Sequence, residues 1–227
     1  MLLILIMSLI LILILSVIYI SHRRNMKLLK MVSSPDRGTR SERRLVIRLL
    51  KNGVPPEAVF HDLYLPKQRG GYAQVDVLVV TPQGLVVIEM KDYSGWLFGS
   101  ESQQYWTQVL NYGKEKYHFY NPLKQNQGHI KALREQSEQL SRIPIWNVVL
   151  FDGDCELKRI NYSTWGSYVG YSSQVMDVLK RINEMEPAHY TNKKEISWIL
   201  HRAVRNGDDP VIVSQHIASV REINSYR

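Results

Sequence analysis

Val75-Asp76-Val77-Leu78-Val79-Val80, then Thr81-Pro82-Gln83-Gly84, then Leu85-Val86-Val87-Ile88-Glu89-Met90-Lys91, is the stretch whose reading decides the fold. Two β-branched, apolar runs flank a Pro-Gly turn, the signature of a β-hairpin. With Thr81 to Gly84 as the loop, Val80 pairs with Leu85, and counting back sets Asp76 opposite Glu89. A two-residue loop at Pro82-Gln83 gives the same register, whereas a three-residue loop breaks it. Side chains alternate along a strand, so Glu89 and Lys91 share a face and Asp76 joins them. Directly opposed residues have Cβ atoms about 5 Å apart, and like charges there repel. Two carboxylates thus meet beside an ammonium at the end of an otherwise apolar hairpin. A hard divalent cation bound by both would remove the conflict. The plainer reading is a surface salt bridge of Lys91 with two acids at a strand end, worth ~0–1 kcal/mol.

Elements on either side follow from periodicity. Leu45, Val46, Leu49 and Leu50 recur on one helical face, and Asn52-Gly53 with Pro55-Pro56 stops the helix. Val59 to Leu65 reads as a strand leading into the loop Pro66 to Gly71. Tyr93 to Tyr120, aromatic and Gly-containing, is predicted as short strands or an excursion closing over the sheet. Asn121-Pro122 is a helix start, with Asn as cap and Pro in the first turn, and this helix is predicted to run to about Leu140. Ile145 to Phe151 is a continuous apolar run, read as a buried central strand. The order is helix, three strands, helix, strand. Beyond it, Tyr168 to Tyr171 reads as a short strand, Ser173 to Ile182 as a helix, and Lys193 to Val204 as a helix with Ile196, Ile199, Leu200 and Val204 on one face. Residues 161–227 are read as C-terminal elements packing on the same core or as a small helical extension, with His201 and His216 isolated in it.

The chain has 227 residues, enough for one membrane segment plus one domain. Its single cysteine, Cys155, excludes an internal disulfide and a zinc cluster built on several cysteines, and fits a reducing compartment. The formal charge is +8, and residues 1–21 carry no charged side chain, so the whole excess lies beyond them. Such a balance favours polyanions, either nucleic acid or an anionic membrane surface, although a solvated, positively biased surface reads the same way. Met1 to Ile20 runs almost unbroken through Leu, Ile, Met and Val. At ~1.5 Å per residue it spans ~30 Å as a helix, the thickness of a bilayer's hydrocarbon core. A cleaved signal peptide would want a basic start, a shorter apolar run and a small-residue cleavage site, and none is present. Residues 1–21 are therefore read as an uncleaved transmembrane anchor and 22–36 as a basic polar linker. His22-Arg23-Arg24, Lys27 and Lys30 follow the apolar run at once, which by the positive-inside rule places the C-terminal domain in the cytoplasm.

The spacing of Asp76 and Glu89-Met90-Lys91 resembles the PD-(D/E)xK nuclease superfamily. The surrounding stretches resemble one branch of it, the nuclease-related domain (NERD) family. They are Gly38-Thr39-Arg40-Ser41-Glu42, Gln74-Val75-Asp76, Gly84 to Lys91, Gly95-Trp96-Leu97-Phe98-Gly99, Trp106 and Asn121-Pro122-Leu123-Lys124-Gln125-Asn126-Gln127-Gly128-His129, ending near Val148 to Leu157. The superfamily's proline before the aspartate is Val75 here. The resemblance covers residues 37–160 and implies a restriction-endonuclease-like αβββαβ core with a mixed sheet, in agreement with the element order read above. It also implies roles. Asp76 and Glu89 would ligate Mg²⁺ with the Met90 carbonyl, and Lys91 would orient the attacking water and stabilise developing charge. Glu42 would be an additional acid of the site, and Gln125 would help to position a phosphate or a water.

The residues allow alternatives. Thr39-Arg40-Ser41-Glu42 also fits a capping box, with Glu42 reaching back to the Thr39 amide. Gln125 and His129, one turn apart, would otherwise be a polar helix surface. Gln74 would oppose Lys91. Trp96 and Trp106 could stack bases but more commonly such residues are core. Three functions stand. One is a membrane-anchored, Mg²⁺-dependent nuclease acting on DNA in the cytoplasm. Another is a catalytically silent nucleic-acid- or protein-binding module of the same fold at the membrane. The third is a membrane-anchored scaffold contacting lipid or protein.

Overall fold

In the computed structural model, which describes residues 1–225, the hairpin pairs in the register its turn dictates. Strand β2 (Tyr72–Thr81) meets β3 (Gly84–Asp92) with Val80 opposite Leu85 and Thr81 opposite Gly84. The Thr81 hydroxyl closes the turn by donating to the Gly84 carbonyl at 3.0 Å and accepting from the Gln83 amide at 3.2 Å. Gly84 has φ +142°, and a Cβ there would overlap the Pro144 carbonyl, so only glycine fits.

Among the described residues the strands form two sheets. β1 (Val59–Pro66), β2 and β3 are antiparallel, and β3 then runs parallel to β7 (Ile145–Asp152), which runs parallel to β9 (Ser167–Tyr171). The aromatic excursion supplies β4 (Gly95–Ser100), β5 (Tyr105–Leu110) and β6 (Glu115–Tyr120), which with β8 (Cys155–Asn161) make the second sheet in the order β6-β5-β4-β8. Trp106 is fully buried between the sheets, stacked on Phe151 at 6.2 Å, and its indole N–H reaches the Ser100 carbonyl; it is core, whereas Trp96 stays half-buried on the outer face beneath Lys158.

Both faces of the first sheet are covered. α2 (Arg40–Lys51) lays Leu45, Val46, Leu49 and Leu50 against Val77, Val79, Val86 and Ile88. On the other face α3 (Pro122–Arg134), α4 (Glu138–Arg142) and α6 (Lys193–Asn206) meet Leu78, Leu85 and Val87. α5 (Val175–Asn183) joins the α2 side, so β9, α5 and α6 pack on the core, and α7 (Pro210–Ser225) follows at the end.

Two expectations change. The helix predicted to reach Leu140 stops at Arg134. Ser137, extended at φ −160°, caps a separate short helix, accepting from the Leu140 amide at 3.3 Å. The N-terminal helix α1 (Leu2–Leu29) does not end at residue 21 but continues through eight residues expected in a linker, because Leu29 is buried among Leu45, Val46 and Leu49 and holds the helical turn there. α1 is long and apolar enough to cross a membrane, and its residues from Leu3 to Ser21 are exposed.

Ile88 is fully buried at the centre of this packing. Ile88→Ala is expected to cost about 2–5 kcal/mol and Ile88→Val about 0.5–1.5 kcal/mol in urea unfolding, the difference reporting the cavity left behind.

Candidate active site

Two of the first sheet's strands switch faces at one point. Val59 packs with the α2-side core, yet Leu63 and Leu65, which share its parity, pack with the α3-side core. In β2 the same happens across Asp76: Val77 and Val79 lie on the α2 side, Val75 and Ala73 on the other. The hinge in β1 is Asp62, a buried residue at φ +56°, a left-handed conformation that Asp tolerates better than most side chains. Ladder pairs His61–Val77 and Leu63–Val75 bracket Asp62 opposite Asp76, and Val77–Ile88 sets Asp76 next to Glu89. Three acids therefore occupy one row across three adjacent strands.

Each acid is met differently. Asp62 takes the guanidinium of Arg37, Nε to Oδ2 at 3.0 Å, and the amide of Gln74 at 2.8 Å. Gln74, expected against Lys91, is turned to Asp62 because the face switch carries it there. Asp76 Oδ2 accepts the Met90 amide at 2.8 Å in place of a ladder bond. Burial first, and then the charges of Glu89 and Glu42, hold the Asp76 carboxyl well above the usual carboxylate range. Glu89, 1% exposed, receives Lys91 Nζ at 2.7 Å on Oε1, while its Oε2 lies 3.3 Å from His129 Nδ1 without completing a hydrogen bond. Burial alone would lower the Lys91 pKa, but the Glu89 carboxylate outweighs it and raises it, so the ammonium is retained. Burial, aided by Lys91, lowers the His129 pKa against the pull of Glu89, so the imidazole is neutral at pH 7.

Gln125 stands in the first turn of α3 with Oε1 3.0 Å from Lys91 Nζ. α3 is placed by three buried asparagines. Asn121 caps its N-terminus through the Leu123 and Lys124 amides and donates to the carbonyls of Ser100, Glu101 and Gln103. Asn126 donates to the Val87 and Val148 carbonyls and to Asn147, which in turn bonds the Leu123 carbonyl.

Glu42 enters from the opposite face at the N-terminus of α2. The capping box is half formed: Thr39 Oγ1 accepts the Glu42 amide and donates to Glu42 Oε1 at 2.6 Å, so the carboxylate meets the hydroxyl rather than the Thr39 amide. Oε2 points to His61 Nε2 at 3.4 Å. Burial pushes Glu42 up, and the His61 imidazole and Thr39 hydroxyl more than offset it, so its pKa falls below the usual value. Gly38, at φ +64°, passes so close that a Cβ would overlap both Glu42 Oε2 and His61 Nε2.

Asp76, Glu89, Lys91, Gln125 and Glu42 are thus brought to one region, with His129 added. Sequence reasoning did not single out Arg37, His61 and Asp62. The signal for the last two was their polarity inside the apolar run Val59 to Leu65; Arg37 carried none. Among the described residues no group of three or more His, Cys, Asp or Glu is arranged to hold a metal ion. Even so, hard oxygen donors are concentrated here: Asp76 suffers from its neighbours' charge, and the buried Oε2 atoms of Glu89 and Glu42 lack hydrogen-bond partners among the described residues.

Two stability measurements follow. Arg37 and Asp62 are 9% and 7% exposed at their side chains, so Arg37→Ala leaves a buried charge unpaired and is expected to cost about 3–5 kcal/mol in urea unfolding, with Arg37→Ala/Asp62→Ala recovering part of it. Asp76→Asn keeps the acceptor for the Met90 amide and removes the crowded charge; without added metal it is expected to stabilise the fold by about 0.5–2 kcal/mol in the same assay.

Residues 37–152 match the family model of the nuclease-related domain. The uncharacterized protein pXO1-01 of Bacillus anthracis is 33% identical over 176 residues, covering 77% of this chain and 79% of that protein. No solved structure matches the chain. The chain belongs to the nuclease-related domain (NERD) family.

Proposed function

We propose that this chain is a membrane-anchored, Mg²⁺-dependent phosphodiesterase acting on DNA at the cytoplasmic face. The observation that carries the reading is the meeting of Asp76 and Glu89 on adjacent strands with Lys91 2.7 Å from Glu89 and 3.0 Å from Gln125. Family membership supports a nucleic-acid substrate, and the apolar α1 followed by His22, Arg23, Arg24 and Lys27 supports anchoring with the domain inside.

The donor set fits a small, hard cation. Mg²⁺ commonly takes one or two carboxylates, keeps several waters and admits a phosphate oxygen, so fewer than three side-chain ligands suffice. Asp76 and Glu89 would hold it, with the Met90 carbonyl, which lies on the same edge of β3 as the amide that meets Asp76. When bound, the ion supplies charge at the scissile phosphate and lowers the pKa of water. Lys91 offsets negative charge growing on the phosphate and orients the nucleophile, and Gln125 holds Lys91 in place. Glu42, which raises the Asp76 pKa, favours a cation at the row.

A silent binding module is the second reading. It is favoured by Lys91 lying on Glu89 Oε1, where a cation would bind. It predicts salt-dependent DNA binding that survives removal of the acids.

Cleavage of linear DNA by the detergent-solubilised chain, with Mg²⁺ or with EDTA, separates the two. Turnover should require the metal. Asp76→Ala, Glu89→Ala and Lys91→Ala should each lower it by ~10²-fold or more with the circular dichroism spectrum unchanged. Activity untouched by Asp76→Ala and Glu89→Ala would remove these residues from the chemistry. Tight binding without cleavage in the parent chain would favour the silent module.

A further inference from the structure

The packing of α1 on α2 leaves a cavity of about 370 Å³ lined by Val17, Ile20, Ser21, Arg24, Asn25 and Lys51. One end is aliphatic, from Val17 and Ile20; the other is cationic, from Arg24 on α1 and Lys51 at the last turn of α2. Among the described residues neither cation has an ion-pair partner, and the chain has no acidic residue before Asp36. The side-chain oxygen of Asn25 is buried there and has no hydrogen-bond partner among the described residues. Two unmatched cations, an unmatched acceptor and an aliphatic wall ask for an anion that carries both a hydrogen-bond donor and a hydrocarbon chain. The level is also right. An apolar run from Met1 to Ile20 fills a hydrocarbon core of ~30 Å, which puts Ser21 to Asn25 among the headgroups.

We propose that this cavity seats one anionic phospholipid of the inner leaflet. Its acyl chain lies along Val17 and Ile20, its phosphate lies between Arg24 and Lys51, and a headgroup hydroxyl donates to Asn25. Because Lys51 belongs to the folded domain, the lipid joins anchor and domain rather than merely coating the anchor. A zwitterionic choline lipid leaves the net charge uncompensated and has no donor for Asn25. The site rests on the anchoring part of the proposed function and is independent of catalysis.

The test is native mass spectrometry of the full chain in detergent micelles, titrated with phosphatidylglycerol or phosphatidylcholine. One phosphatidylglycerol should be retained per chain, at least about five-fold more strongly than phosphatidylcholine, since each basic residue near an anionic surface is worth about that factor. Arg24→Gln/Lys51→Gln should lower retention about ten-fold or more, whereas Lys116→Gln/Lys158→Gln, an equal charge change elsewhere, should leave it as it was. Equal retention of the two lipids, or equal loss in both double variants, overturns the site. Displacement of the lipid by an equal concentration of inorganic phosphate overturns the role of the aliphatic wall. Vesicle flotation checks the premise separately: a chain that does not float removes the anchoring reading and the site with it, whatever the DNA assay shows.

Discussion

Three carboxylates in one row of a β-sheet repel one another unless positive charge or hydrogen-bond donors are placed among them, and most of the architecture around the site supplies these. Asp62 is neutralised by Arg37, whose guanidinium also bonds the Val204 carbonyl at 2.9 Å and Asp208 at 3.1 Å, so the end of α6 is tied to the strand that carries the first acid. Glu89 is met by Lys91. Asp76, between them, has a backbone amide and a share of Lys91, and burial first, then the charges of Glu89 and Glu42, hold its carboxyl well above the usual carboxylate range. The row is unevenly compensated, with the deficit at its centre, and the centre is where a cation would have most to gain.

Holding such a row costs stability and demands a rigid surround. Asn121, Asn126 and Asn147 meet that demand with buried side-chain bonds to backbone carbonyls of β3, β7, α3 and the β4–β5 turn. They fix α3 against the sheet, so Gln125 and His129 reach Lys91 and Glu89 at set distances rather than as mobile surface groups. Buried side-chain bonds of this kind pin geometry. Among the described residues the buried polar atoms without a hydrogen-bond partner include Glu42 Oε2, His61 Nε2, Glu89 Oε2 and His129 Nδ1, all at the acids, where a ligand has reason to come.

Local signals were readable and distant ones were not. The hairpin register follows from a two-residue turn and a period-two pattern, both contained within the stretch from Val75 to Lys91, and it places Asp76 beside Glu89 without reference to anything else. The Asn121 cap and the apolar stripe of α2 are equally local. The face switch at Asp62 is not: it depends on a left-handed backbone that Asp permits but does not require, stabilised by an arginine 25 residues earlier, just past the linker. Hence Gln74, which the hairpin register alone sets opposite Lys91, bonds Asp62 instead. The break between α3 and α4 likewise turns on Ser137 adopting an extended conformation inside a stretch whose periodicity continues. The parallel pairing of β4 with β8 joins segments too far apart in sequence for either to announce the other.

α2 connects what the rest of the chain keeps apart. Its N-terminal turn delivers Glu42 to the acid row, and its last residue, Lys51, shares a cavity with the stretch of α1 from Val17 to Asn25, where the apolar run ends. At ~1.5 Å per residue these two side chains leave the helix about 14 Å apart along its axis. A helix of this length, buried along one side by Leu45, Val46 and Leu49, is stiff over that distance. With α1 seated in a bilayer, α2 then sets the height of the acid row above the headgroups. Under the proposed anchoring, coupling to the membrane would arise from geometry alone, because the domain packs on α1 through Leu29 and its site could not turn freely.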